Sequence, residues 1–185
     1  MPTMKTCIVL LRGINVGGNA VLSMKTLCRL LEDLGAQAVR TYIQSGNAVL
    51  QIANDAHLAP RLTEVIQRQC GFAPAVWVMP VQALALAMAN NPFPHAVAEP
   101  SSLHLGFMAD TPKAPDMQKL QSLQAASEQF RLIGPVFYLH APDGIGRSKL
   151  AAGTEKCIGL PMTLRNWRTV SALAEMAQAS SAAAP

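Results

Sequence analysis

Thr6-Cys7-Ile8-Val9-Leu10-Leu11 is an unbroken apolar run with β-branched residues at its centre. It is short for a helix and apolar on both faces, so it reads as a buried central strand. Arg12-Gly13-Ile14-Asn15-Val16-Gly17-Gly18-Asn19 ends it with three glycines. A helix follows, because Met24, Leu27, Cys28, Leu31 and Leu34 recur at three- and four-residue spacing, with Ser23 as cap and Gly35 as stop. Residues 39–43 and 48–52 are strands around the turn Gln44-Ser45-Gly46-Asn47. Leu58, Leu62, Val65 and Ile66 mark a second helix, with Asp55 near its start and Gly71 after it, and residues 75–79 (AVWVM) form a fourth strand. The order is βαββαβ.

The same order follows again. Residues 80–88 read as a connecting helix, which Asn90-Asn91-Pro92-Phe93-Pro94 stops. Residues 103–108 are a strand, Met117, Leu120 and Leu123 line a helix, and residues 129–133 and 136–140 form a hairpin about Gly134-Pro135. Residues 147–158 make a helix weakened by Gly153, residues 162–164 a short last strand, and Asn166 caps a closing helix with Trp167 and Val170 inward. The halves share this pattern without clear sequence identity. The expected organisation is α+β: a ferredoxin-like half over 1–80, a connecting helix and linker over 81–101, a second ferredoxin-like half with an extra helix over 102–178, and a disordered tail over 179–185.

In a βαββαβ unit the third strand lies antiparallel between the first and second. That places the loop 12–19 and the turn 44–47 at one end of the first sheet. It likewise joins 143–149 with Arg165-Asn166-Trp167 at one end of the second.

Pro142-Asp143-Gly144-Ile145-Gly146-Arg147-Ser148-Lys149 carries the strongest chemical signal. A fork donor, a hydroxyl and an ammonium group stand in sequence just before a helix, where free N–H groups and the helix dipole favour an anion. Charge is concentrated in the same region. The chain carries 15 basic and 11 acidic residues, and six of the basic ones (Arg131, Arg147, Lys149, Lys156, Arg165, Arg168) lie between residues 131 and 168 with only Asp143 and Glu155 opposing them.

The chain of 185 residues is half hydrophobic, and a chain of that length buries close to ~70% of its unfolded surface. No stretch approaches the apolar length that spans a bilayer, and the N-terminus lacks a secretion-signal pattern. Cys7, Cys28, Cys70 and Cys157 are widely spaced without a C-x-x-C pair, which points to reduced thiols, buried at Cys7, Cys28 and Cys157, in the cytoplasm.

Other chemistries lack their signatures. The glycines of 13–18 fit neither G-x-G-x-x-G nor the G-x-x-x-x-G-K phosphate loop. The four histidines (His57, His95, His104, His140) form no H-E-x-x-H or H-x-E pattern, so no metal is expected. Neither a G-x-S-x-G elbow nor an S-x-x-K spacing is present around Ser148.

LRGINVGG (Leu11 to Gly18), TYIQSGN (Thr41 to Asn47), NNPFP (Asn90 to Pro94), PDGIGRSKL (Pro142 to Leu150) and RNWxTV (Arg165 to Val170) together resemble the bacterial domain-of-unknown-function family 1697. The resemblance runs over residues 5 to 177. It implies an α+β fold of two ferredoxin-like halves and carries no established activity or cofactor. The chain departs from the family's usual pattern at Asn19 and Val21, where basic residues are common, at Arg168, where asparagine is usual, and at Ala151-Ala152, where a polar pair is frequent.

The expected function is binding of a phosphate-bearing ligand, a nucleotide or a phosphorylated metabolite, in a polar basic groove between the halves. Arg147 and Lys149 would hold the phosphate with Arg12, Arg165 and the Gly17-Gly18 amides assisting. Asn15, Gln44, Ser45, Asn47, Ser148 and Asn166 would orient the rest, and Trp167 would stack. Three alternatives use the same residues: a nucleic-acid-binding protein, an enzyme of phosphoryl or acyl transfer with Asp143 as base, and an interaction module whose polar loops lock the halves.

Overall fold

The computed structural model describes residues 3–182. Among these residues, eight strands and six helices follow the order β1(Lys5–Arg12), α1(Met24–Asp33), β2(Gln37–Tyr42), β3(Asn47–Ile52), α2(Leu58–Cys70), β4(Ala75–Pro80), α3(Val81–Ala89), β5(Leu103–Met108), α4(Met117–Leu123), β6(Gln129–Ile133), β7(Val136–His140), α5(Lys149–Ile158), β8(Met162–Asn166) and α6(Trp167–Ala182). A short 3-10 helix, Pro94–Ala98, follows α3. The strands form two four-stranded antiparallel sheets, β2-β3-β1-β4 and β6-β7-β5-β8. This is the ferredoxin-like arrangement twice.

The chain divides into two compact units. The first holds the described residues up to Leu86 together with those from Ser171 onward, and the second runs from Ala87 to Val170. The closing helix is thus shared, beginning in the second unit and continuing in the first. It extends through residues 179–182, which correct the expected disordered tail to helix; the rest of that tail, 183–185, lies outside the described residues.

In the first unit, alternation sets the core. Cys7, Val9 and Leu11 of β1 and Ala48, Leu50 and Ile52 of β3 point to one face, where Leu27, Leu30, Leu31, Leu58, Leu62 and Ile66 of α1 and α2 pack on them. Ile8, Leu10 and Val49 on the other face are equally buried, as the apolar run from Thr6 required. Gln51 on that second face donates to the Ser180 carbonyl at 3.0 Å, tying α6 to the sheet. Ser23 caps α1 by accepting from Thr26 N at 3.0 Å, and Gly71 closes α2 at φ 82°. Asp55 does not cap α2. It pairs with Lys5 at 2.5 Å and accepts from the Cys7 thiol at 3.6 Å, while His57 occupies the cap position with no side-chain bond.

In the second unit, Phe130, Phe137, Leu139, Met108 and Met162 meet Leu120, Leu150 and Ile158 of α4 and α5. At Gly153 the end of the Leu123 side chain lies close to α5: a Cβ there would be 2.6 Å from Leu123 Cδ1. On the opposite face, Tyr138 donates its hydroxyl to the Ala87 carbonyl at 2.7 Å, and burial pushes that phenol up to about 12.

Candidate functional site

The polar loops of the first unit stand together as the topology requires, since Leu11 N donates to the Gly46 carbonyl at 2.7 Å. Their side chains are largely occupied in holding the loops. Residues 15–20 form a small hairpin in which Asn19 N donates to the Val16 carbonyl at 3.1 Å, and Gly17 and Gly18 (φ 58° and 77°) make its tip. Asn15, itself at φ 55°, donates Nδ2 to the carbonyls of Leu22 (2.8 Å) and Gln44 (2.7 Å) and accepts from Leu22 N at 2.8 Å. It staples loop to turn. Asn47 is fully buried and donates to Ser45 Oγ at 2.9 Å and to the Tyr42 carbonyl at 3.2 Å. Arg12 and the Gln44 side chain are exposed.

In the second unit, β7 and β8 both run against β5, and their ends share one end of the sheet: Leu103 pairs with His140 and His104 with Asn166. The segment after β7 then delivers its cations through two turns. Ala141 N is anchored on the Ser102 carbonyl at 2.8 Å, Gly144 N donates to the Ala141 carbonyl at 3.0 Å with Gly144 at φ 83°, and Ser148 N donates to the Ile145 carbonyl at 3.0 Å. Ile145 packs on the core below and holds the segment down. Ser148 is the α5 cap, its Oγ accepting from Ala151 N at 3.0 Å. Arg147 and Lys149 flank this cap, exposed and without hydrogen bonds or ion pairs among the described residues.

These cations edge a pocket of about 490 Å³. Its other wall is the end of α4 and the loop after it, including Ser122, Gln124, Ser127 and Glu128. That loop is tightly stitched: Ala125 N donates to Glu128 Oε2 at 2.9 Å, Glu128 N to the Ala125 carbonyl at 3.0 Å, and Gln124 Nε2 to the Glu128 carbonyl. Ser127 Oγ donates to Asp143 Oδ2 at 2.6 Å and struts one wall against the other. The result is a cavity with a cationic, N–H-bearing side at α5 and an acceptor side at Asp143 and Glu128. Sequence inspection singled out Arg147, Ser148, Lys149 and Asp143 here. It missed Ser127 and Glu128, whose position depends on how α4 ends.

Arg165, Asn166 and Trp167 do not line this pocket. Strand β8 runs two residues beyond the expected Leu164, and its register, with Arg165 opposite Leu105, turns Arg165 to the face away from α4 and α5. There Arg165 donates to Thr163 Oγ1 at 2.8 Å and to the Leu164 carbonyl at 2.9 Å, and burial lowers its pKa to about 10. Asn166 Oδ1 accepts from Thr169 N at 3.0 Å and caps α6, as expected, and Trp167 is buried at 9% exposure. Among the described residues, the pocket lining contains neither histidine nor cysteine. Of the cysteines only Cys7 is buried, its thiol pushed up to about 11 by burial and the neighbouring Asp55; Cys28 and Cys157, expected buried, are half-buried. None of the four is in a disulfide.

Taken together, two antiparallel βαββαβ units and an extra helix, with a cation-edged pocket at the head of α5, define an α+β protein with two ferredoxin-like halves. The family described as "Protein of unknown function (DUF1697)" matches residues 4–138, and the chain belongs to it. The matched span ends before the Pro142 to Leu150 segment. The chain is also similar, with 22% sequence identity and a TM-score of 0.67, to a solved structure, the conserved bacterial protein SP0830 from Streptococcus pneumoniae; the likeness covers 95% of this chain and 99% of that one. It extends the shared fold to nearly the full length. A search among curated proteins gave no match. Among the described residues, no helix is long and apolar enough to cross a membrane.

Proposed function

We propose that the protein binds a phosphate-bearing small molecule, a nucleotide or a phosphorylated metabolite, in the pocket at the head of α5. The observation that carries this reading is the pair of unpaired cations, Arg147 and Lys149, on either side of the Ser148 cap and at the edge of an open cavity. A cavity of about 490 Å³ suits a ligand of nucleotide or sugar-phosphate size. The phosphate would take the two cations and the first-turn N–H groups of α5. The carboxylates of Asp143 and Glu128 would repel a second anionic group and accept hydrogen bonds from ligand hydroxyls or amines. That combination favours one phosphate attached to a donor-rich body over a polyanion. The unpaired cysteines suit a reducing cytoplasm.

Phosphoryl or acyl transfer is the second reading, supported by the Asp143–Ser127 pair beside the cations. Nucleic acid is less favoured, because the lining offers no aromatic side chain for a base to stack on.

Calorimetric titration with inorganic phosphate, a nucleoside monophosphate and a sugar phosphate, at low and high salt, tests the proposal. Saturable binding that weakens roughly tenfold or more for each cation lost, in Arg147→Ala and Lys149→Ala, supports it. The salt dependence should correspond to about one or two phosphate contacts. Binding unchanged in the double variant, or no binding of any probe, would overturn it.

A further inference from the structure

A second cluster lies in the second unit on the sheet face away from α4 and α5. His140 ends β7 on the face that carries Tyr138, opposite to that of Phe137 and Leu139. His95 reaches it from the 3-10 helix Pro94–Ala98. The two imidazole centroids are 5.2 Å apart with planes inclined at 81°, and the Phe93 ring backs both, at 6.3 Å from His95 and 6.2 Å from His140. Edge-to-face packing accounts for the contact. It does not account for the polar atoms: Nδ1 of His140 is buried with no hydrogen-bond partner, and a buried ring nitrogen left bare is a cost that a native fold rarely leaves unused.

We propose that His95 and His140 form a two-point binding site for a divalent transition metal ion of the zinc class, with water completing the coordination shell. The separation fits. At a metal–nitrogen distance of about 2 Å, each ring centre sits about 3 Å from the ion, and tetrahedral ligands then place the two centres about 5 Å apart. The observed 5.2 Å equals that separation, and a rotation of the exposed His95 ring would bring its nitrogen toward the same point. His95 is exposed, so its ring turns freely to present a nitrogen, while β7 and Phe93 hold His140. Among the described residues no group of three or more histidine, cysteine or acidic side chains could hold a metal; a two-histidine site would leave its remaining coordination positions to water. Imidazole nitrogen without carboxylate selects zinc, nickel or copper over magnesium and calcium.

The site is independent of the α5 pocket, and so is its test. The full chain without a histidine tag is titrated with zinc and, separately, with magnesium, followed by calorimetry and by long-range proton–nitrogen NMR of the histidine rings. The expected result is one zinc per chain, no magnesium, and ring shifts confined to His95 and His140. The exposed position makes His95→Ala safe for folding, and this variant should bind roughly tenfold or more weakly, whereas His95→Asp, which restores a ligand, should retain binding. Zinc binding that His95→Ala leaves unchanged, ring shifts at His57 or His104 instead, or no binding at all, would overturn the proposal.

Discussion

Replacing Asn15 separates a structural loop from a binding loop. Its side chain makes three hydrogen bonds, to Leu22 N, the Leu22 carbonyl and the Gln44 carbonyl, at 2.7–2.8 Å. Each contributes about 1 kcal/mol net. Asn15 also holds φ 55°, where asparagine is tolerated and alanine costs about 1 kcal/mol more. Asn15→Ala should therefore lose about 4 kcal/mol, and with a urea dependence of about 2 kcal/mol per molar the midpoint should fall by about 2 M. Asn15→Asp sharpens the test. Its carboxylate still accepts from Leu22 N but turns an oxygen against two carbonyls, so it should be at least as destabilising as alanine at neutral pH. That penalty should shrink in acid, where the carboxyl takes a proton and becomes a donor. Urea unfolding monitored by circular dichroism reads both. A change below about 0.5 kcal/mol for Asn15→Ala, or wild-type stability of Asn15→Asp, would refute the staple and return Asn15 to the list of ligand-binding candidates.

Gly46→Ala should cost about 2–4 kcal/mol, because φ is 77° and the new Cβ would lie 2.7 Å from Leu11 Cβ, which cannot swing away; an unchanged urea midpoint would contradict this. Gly153→Ala should stabilise by up to about 1 kcal/mol, because alanine is the better helix former and its Cβ would meet only Leu123 Cδ1, at 2.6 Å, the end of a half-buried side chain that can turn aside; a lowered melting temperature would contradict it. Burial lowers the pKa of His104 below its ordinary 6.5, so the folded state holds it neutral while the unfolded chain takes up a proton. Its contribution is therefore complete above pH 6.5 and is lost as pH falls from there toward the folded pKa. His104→Gln should flatten that part of the stability–pH curve.

Most of the architecture was legible because strands and helices here keep their periods. The run from Thr6 to Leu11, the alternation at 48–52 and the caps Ser23, Asn166 and Gly71 each act locally, and each sits where it was expected. The failures arose where a partner from elsewhere decided the outcome. A strand ending at Leu164 leaves Arg165 in a loop, whereas two more paired residues put it on the face away from α5. The candidate site was legible on one wall only: Arg147, Ser148 and Lys149 form a continuous motif, whereas Ser127 and Glu128 reach the pocket through the loop after α4. The His95–His140 pair has no motif because one residue belongs to a 3-10 helix and the other to a strand, 45 positions later in the chain.

The central claim is that the head of α5 is a phosphate seat, and its most direct test is amide NMR of the full chain during titration with inorganic phosphate and then with a nucleoside monophosphate. The account predicts saturable shifts of the Lys149 and Leu150 amides with both ligands. The nucleotide should add shifts at residues 122–128, the facing wall, and Arg147→Ala/Lys149→Ala should abolish all of them. Shifts confined to residues 12–19 and 44–47, or none at α5 while either ligand binds, would contradict it.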